Sequence, residues 1–233
     1  MRTPDSRFYC PRIDVGEFTL DENESSHAVR VCRASAGDTL ELCDGLGHFA
    51  VAIITKADPK ACEIRIDMFD TVSTERPKLN LAIACLKDDA LEEVVFHAAQ
   101  TEIDTIFFLR TDFSQEPKNS DLHKLVRRAE LKSLVSLKQS KKPWLTRIEG
   151  PVEFDTWLSQ YEGDLVLCDM EGERTAPTLD RRTTLLVGPE GGFSNKEIEK
   201  IKAFQRGNKA LINLGNTRLR ARTAAIIALG KFV

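Results

Sequence analysis

The stretch "LLVGPEGGFSNKEIEKI", residues 185–201, decides how the second half of the chain is read. Leu185 to Val187 is an apolar, β-type run that breaks into Gly188-Pro189-Glu190-Gly191-Gly192. A helix signal follows at once. Ser194 is an N-cap residue with Glu197 three positions on, a capping box, and Phe193 and Ile198 stand where a hydrophobic staple needs them. Strand, turn and helix in that order belong to an α/β layer, in which ligands bind at the carboxyl ends of parallel strands. Glycines and a proline packed around one glutamate mean either a tight turn or a backbone that something must approach. The spacing is neither GxGxxG nor a phosphate loop ending in GK[ST].

The same texture extends back to residue 79. "LNLAIACL" (79–86), "TIFFLR" (105–110), "DLVLCD" (164–169), "TTLLVGP" (183–189) and "ALINLG" (210–215) read as strands. Leu91, Val94, Val95, Ala98 and Ala99 recur at helical spacing after Asp88 or Asp89 as cap, and Leu122, Leu125, Val126 and Ala129 mark a second amphipathic helix. A short strand near 144–148, a helix near 152–160 and a last helix from about Arg222 to Phe232 complete a mostly parallel sheet covered by helices. Residues 7–70 read instead as short strands. Segments 39–43 and 48–55 flank Asp44-Gly45-Leu46-Gly47, a hairpin signal, and "CEIRIDMF" (62–69) alternates. One short helix is expected at "SSHAVRVCR" (25–33), capped by Ser25 or Ser26. This half reads as a small β-barrel. Pro77 in the polar "DTVSTERPK" (70–78) places the linker, so the expected domains are 1–74 and 75–233.

Composition narrows the class. The chain has 233 residues, 42% hydrophobic and 30% charged, with no apolar run near the roughly 20 residues of a membrane span. "MRTPDSRFYCPRID" has no apolar signal core. Cysteines 10, 32, 43, 62, 85 and 168 form no CxxC pair and read as buried thiols in a reducing cytoplasm, with no metal site. Net charge is −3, yet residues 118–147 carry nine Lys/Arg (Lys118, Lys124, Arg127, Arg128, Lys132, Lys138, Lys141, Lys142, Arg147) against Asp121 and Glu130. Residues 149–173 carry eight acids and no Lys or Arg. The segregation fits a basic face for phosphates or a solvated helix face.

Three strand ends carry candidate loops: "CDMEGER" (168–174), "GPEGG" (188–192) and "LGNTRLRAR" (214–222). Glycines 188, 191, 192 and 215 remove Cβ atoms, so a planar group such as adenine could lie on bare backbone. Arginines 218, 220 and 222 cluster where a helix begins, a place that favours negative charge, and so point to an anionic partner.

Together, "LLVGPEGGFSNKEIE" and "LGNTRLRARTAAIIAL" (214–229) resemble the signature of the RsmE family. These SPOUT-superfamily enzymes methylate N3 of a uridine in 16S rRNA. The second motif matches in Leu214, Gly215, Leu219, Arg220, Thr223 and Ala224. "RFYC" (7–10) and "HAVRVCRASAGDTLELCDGLGHFAVAII" (27–54) resemble the family's PUA-like barrel, with His27, Val31, Arg33, Gly37, Asp38, Asp44, Gly45 and Gly47 in register. "KQSKKP" (138–143) falls where the family has a glutamine before basic residues.

The resemblance implies an α/β, SPOUT-type parallel-sheet methyltransferase domain with a trefoil knot, preceded by the PUA-like barrel, in a homodimer acting on the small ribosomal subunit. It implies S-adenosylmethionine held by Leu167, Val187, Gly188, Pro189, Glu190, Gly191, Gly192, Leu214, Gly215, Leu219 and Arg220. Arg220 is the implied catalytic residue, facing the oxygens of the deprotonated base, with Arg218 second. Arg7, His27, Arg30, Arg33, Lys138, Lys141 and Lys142 are the implied RNA contacts. Glu190 is expected to bond backbone N–H groups. Trp144, Trp157 and His97 are expected in structural roles.

The chain departs from the pattern. The family's "LRTETA" is "LRARTA" here, with Ala221 for threonine and Arg222 for glutamate, and its "KATELG" string becomes "HAAQTEI" with His97, Gln100 and Glu102. The reversed charge leaves three outcomes open: an active uridine methyltransferase, an RNA-binding protein with impaired turnover, or an enzyme with another RNA target.

Overall fold

The computed structural model of the protein describes Pro4 and residues 6–87, 90–115, 122–178 and 181–232. Asp88 and Asp89, the expected helix cap, and Lys118 and Asp121 of the basic segment lie outside the described residues. The chain divides into two compact units, 1–75 with 134–145, and 76–133 with 146–233.

The first unit is a five-stranded sheet of β1 (Arg7–Tyr9), β2 (Gly16–Thr19), β3 (Thr39–Cys43), β4 (His48–Lys56) and β5 (Glu63–Thr71), in the order β1-β3-β4-β5-β2. Only β1 and β3 pair in parallel. Alternation makes the core: Leu40 and Leu42, Ala50, Ala52 and Ile54, and Ile64 and Ile66 face inward with Phe8. Helix α1 (Glu22–Ser26) continues into a π-helical turn, His27–Val31. Its cap is Asp21, whose carboxylate accepts from Glu24 N–H at 2.9 Å, not Ser25 or Ser26 as expected. Ser25 is buried and its hydroxyl is used elsewhere, donating to Leu20 O at 3.0 Å and accepting from Cys62 N–H at 2.9 Å.

The hairpin after β3 needs its glycines for a tertiary reason. Asp44 Oδ1 accepts from the N–H groups of Leu46 (2.7 Å) and His48 (3.1 Å). Gly47 has φ +95°, and a Cβ there would stand 2.7 Å from the Trp144 ring. Trp144 and Leu145 follow the long helix α3 (Leu122–Ser140), whose residues from Leu134 onward belong to this unit.

The second unit is a six-stranded sheet, parallel throughout, of β6 (Leu79–Ala84), β7 (Ile103–Arg110), β8 (Arg147–Glu153), β9 (Asp164–Glu173), β10 (Thr183–Val187) and β11 (Lys209–Ile212). Its order is β11-β9-β10-β6-β7-β8. The strand expected at 144–148 begins at Arg147 instead, and the last helix, α6, is Ala221–Leu229. Leu79, Leu81, Ile83, Leu185 and Val187 pack on one side with α2 (Ala90–Ala98) and α6. Ala82, Leu165, Leu167 and Leu186 pack on the other with α4 (Phe154–Gln160) and α5 (Asn195–Ala203). Burial on both faces is why these strands read as continuous apolar runs, and each fully buried leucine contributes about 1.5–3 kcal/mol. Segment 168–174, expected as a loop, is mostly the end of β9. Its pairing with β11 jumps from Leu167↔Leu211 to Glu173↔Ile212, so residues 168–172 arch out between the two pairs.

β10 lies beside β6, yet β10 leads to α5 on one face and β6 leads to α2 on the other. The chain therefore forks at their carboxyl ends, the topological position at which α/β sheets open a crevice.

Two expectations follow. Gly47→Ala combines a left-handed backbone with a clash, and is expected to cost about 2 kcal/mol, read as a lower urea midpoint. Asp104 is buried and pairs with Arg76 (2.7 Å) and Arg147. Burial pushes its carboxyl up, but the two guanidinium groups outweigh this and hold it below the usual range. Its stabilisation is present above the unfolded carboxylate pKa of about 3.9 and is lost as pH falls through the lower folded value. Thermal unfolding from pH 6 to pH 2 is expected to show this acid loss in the wild type and a smaller one in Asp104→Asn.

Candidate active site

Beside the fork, at the carboxyl ends of β9 and β10, lies a cavity of about 370 Å³, within the range of about 300–1,000 Å³ typical of ligand pockets. Leu167–Met170 of β9 form one wall, the turn Val187–Phe193 a second, and Leu214, Gly215, Thr217–Leu219, Ala221 and Ala224 a third. The three strand ends singled out in the sequence thus meet. Leu167, Val187, Gly188, Pro189, Glu190, Gly191, Gly192, Leu214, Gly215 and Leu219 all line the cavity. Arg220 does not: it borders an adjoining cleft with Lys87, Glu93, Gln115, Glu190 and Arg222. Cys168 and Ala221 of the candidate loops line it as well, together with Phe193, Ile198 and Ala224 from outside them. Burial pushes the Cys168 thiol up to about 12, so it is protonated and inert at neutral pH.

The glycines have both explanations. Gly192 N–H donates to Pro189 O at 2.8 Å, and a Cβ on Gly188 would stand 3.0 Å from the Gly192 carbonyl carbon, so the turn closes on itself. At Gly192 (φ +75°) and Gly215 the point where a Cβ would stand has no neighbour within 4 Å, so there the cavity reaches the backbone.

The capping box is present. Glu197 Oε2 accepts from Ser194 N–H at 2.8 Å, and Ser194 Oγ accepts from Glu197 N–H at 3.3 Å. Buried Glu197 does more: its Oε1 accepts from Asp112 N–H at 2.9 Å, and Ser194 Oγ donates to Asp112 Oδ2 at 2.6 Å. The loop after β7 is thereby tied to the glycine turn, with exposed Phe113 beside Gly191.

The three arginines differ. Arg218 Nη2 donates to Glu190 O at 2.7 Å. Arg222 Nη1 pairs with Glu93 Oε2 at 2.6 Å. Arg220 holds the N-cap position of α6, and among the described residues its guanidinium has no partner. Among the described residues Glu190 bonds through its carbonyl rather than its carboxylate, against expectation, and the residue borders both cavity and cleft.

The expected RNA contacts separate likewise. Arg7 is buried, paired with Glu41 and donating to Lys141 O at 2.6 Å. Lys138 pairs with buried Glu24 at 2.5 Å and Lys141 with Glu41 at 3.2 Å, so these three are neutralised within their own unit. Lys142 is half-buried, as is His27, whose ring lies against Phe8. Arg30 and Arg33 are exposed, at and just past the end of the π-helical turn, Arg33 with φ +55°. Elsewhere in the basic segment Arg128 pairs with Glu92 (2.6 Å) and Arg147 with Asp104. Among the described residues no group of three or more His, Cys, Asp or Glu side chains could hold a metal ion, and no helix is long and apolar enough to cross a membrane.

Comparison with known proteins identifies the family and the fold. Residues 74–233 match the family model described as an RNA methyltransferase domain, and residues 20–67 match that of an RNA methyltransferase PUA domain. The chain is 27% identical to the ribosomal RNA small subunit methyltransferase E of Rickettsia conorii, over 92% of this chain and 88% of that protein. It is 30% identical to the protein of the same name from Mesomycoplasma hyopneumoniae, over 67% and 69% respectively. Among solved structures, a methyltransferase from Legionella pneumophila in complex with S-adenosylmethionine is similar with a TM-score of 0.86 at 26% identity, over 99% of this chain and 96% of that one. The architecture is a SPOUT-type α/β fold with an N-terminal PUA-like region. The chain belongs to the RsmE-like RNA methyltransferases of the SPOUT superfamily.

Proposed function

We propose that this protein transfers a methyl group from S-adenosylmethionine to N3 of one uridine in 16S rRNA of the small ribosomal subunit. The observation that carries the reading is Arg220, a guanidinium with no partner among the described residues, in the cleft beside a ligand-sized cavity. The relatives named ribosomal RNA small subunit methyltransferase E and the Legionella complex support the substrate and the donor.

The residues present fit that donor. Leu167, Val187, Leu214 and Leu219 offer apolar walls, and the backbone is bare at Gly192 and Gly215. Bound there, S-adenosylmethionine supplies an electrophilic methyl group. The protein's share of the work is placement and charge. N3 of uracil is a poor nucleophile while protonated, and once the proton leaves, negative charge spreads onto O2 and O4. Arg220 stabilises that charge in the cleft. Arg218 holds the glycine turn through Glu190 O, so the walls of the cavity keep their spacing. Arg30 and Arg33, exposed and without a partner among the described residues, are the phosphate contacts of the PUA-like region. The protein acts as a homodimer, for which exposed Ile226 and Ile227 of α6 are candidate contact residues.

Mass spectrometry of 16S rRNA from cells lacking the gene is expected to show one unmethylated uridine, restored by the wild type and not by Arg220→Ala; unchanged rRNA would refute the assignment. In vitro, Arg220→Ala is expected to lower kcat about 100- to 1,000-fold, with donor affinity by calorimetry unchanged. Arg30→Gln with Arg33→Gln is expected to weaken RNA binding and reduce the slope of log K against log salt by about two. The same slope in both proteins would place the contacts elsewhere.

A further inference from the structure

We propose that Glu93 is a positioning residue for methyl transfer: through Arg222 it holds the first turn of α6, so that Arg220 beside it meets the substrate. The inference rests on the role given to Arg220 above. Arg218, Arg220 and Arg222 occupy alternate positions across the start of α6, where the helix end already carries positive potential. Three cations there repel one another and the helix. The fold relieves two of them, Arg218 on the Glu190 carbonyl at 2.7 Å and Arg222 on the Glu93 carboxylate at 2.6 Å. Arg220, between them, has no partner among the described residues.

Glu93 stands on α2, and Leu91, Val94 and Val95 of that helix share a core with Ala221, Ala225 and Ala228 of α6. The ion pair therefore joins two elements already packed together. It opens onto the same cleft as Arg220, with Lys87 and Gln115. Exposed pairs of this kind add little to stability, so the effect falls on where the arginines stand rather than on whether the chain folds.

The test uses the full chain and three variants: Glu93→Gln, Arg222→Glu, and the double exchange Glu93→Arg with Arg222→Glu. Two quantities are read. One is kcat and donor KM for transfer from radiolabelled S-adenosylmethionine to small subunits from cells lacking the gene. The other is hydrogen exchange of the backbone amides of residues 220–224 without RNA. Each single change is expected to lower kcat about tenfold with donor KM unchanged and to speed exchange in that turn, whereas the double exchange returns both to within about threefold of wild type. Wild-type kcat and exchange in the single variants would overturn the inference. So would a gain in kcat from Arg222→Glu, or a double variant as impaired as the worse single. If the wild type transfers no methyl group, the assigned reaction has failed, and hydrogen exchange alone then decides whether Glu93 anchors α6.

Discussion

The fold depends on one constraint, the divergence of the chain after two adjacent parallel strands. β6 and β10 are hydrogen-bonded neighbours buried on both faces, but the helices that follow them lie on opposite sides of the sheet. The cavity opens one strand over, where the ends of β9 and β10 meet the turn after β11, and there the backbone is glycine-rich and fastened from outside. Glu197 supplies one fastening, since a single buried carboxylate caps α5 and holds the loop after β7. Arg218 supplies another across the glycine turn.

Charge follows the same logic. The residues lining the cavity are mostly apolar or glycine, whereas the adjoining cleft gathers Lys87, Glu93, Glu190, Arg220 and Arg222. Glu190 is the residue common to both.

Local signals were legible in the sequence and tertiary ones were not. The capping box was readable because Ser194 and Glu197 are one helical turn apart. The second bond of Glu197, to Asp112, spans 85 residues and leaves no mark in either segment. Ser25 was read as a cap on side-chain type, but Leu20 and Cys62 take its hydroxyl, and Asp21 caps instead. Arg7, Lys138 and Lys141 were read as RNA contacts because charge along a chain does not reveal partners. Glu24 and Glu41, distant in sequence, neutralise them. The glycines at 192 and 215 were identifiable as bare backbone, but the strand that walls the cavity beside them was taken for a loop.

That wall has an evolutionary corollary. Asp169 and Met170 reach the cavity from an arch pinned at both ends by pairing with consecutive residues of β11, Leu211 and Ile212. An insertion there would have nowhere to go without unzipping the sheet edge. Descendants of this chain can retune the pocket at that wall by exchanging one side chain for another, because the pairing that pins the arch runs through the backbone.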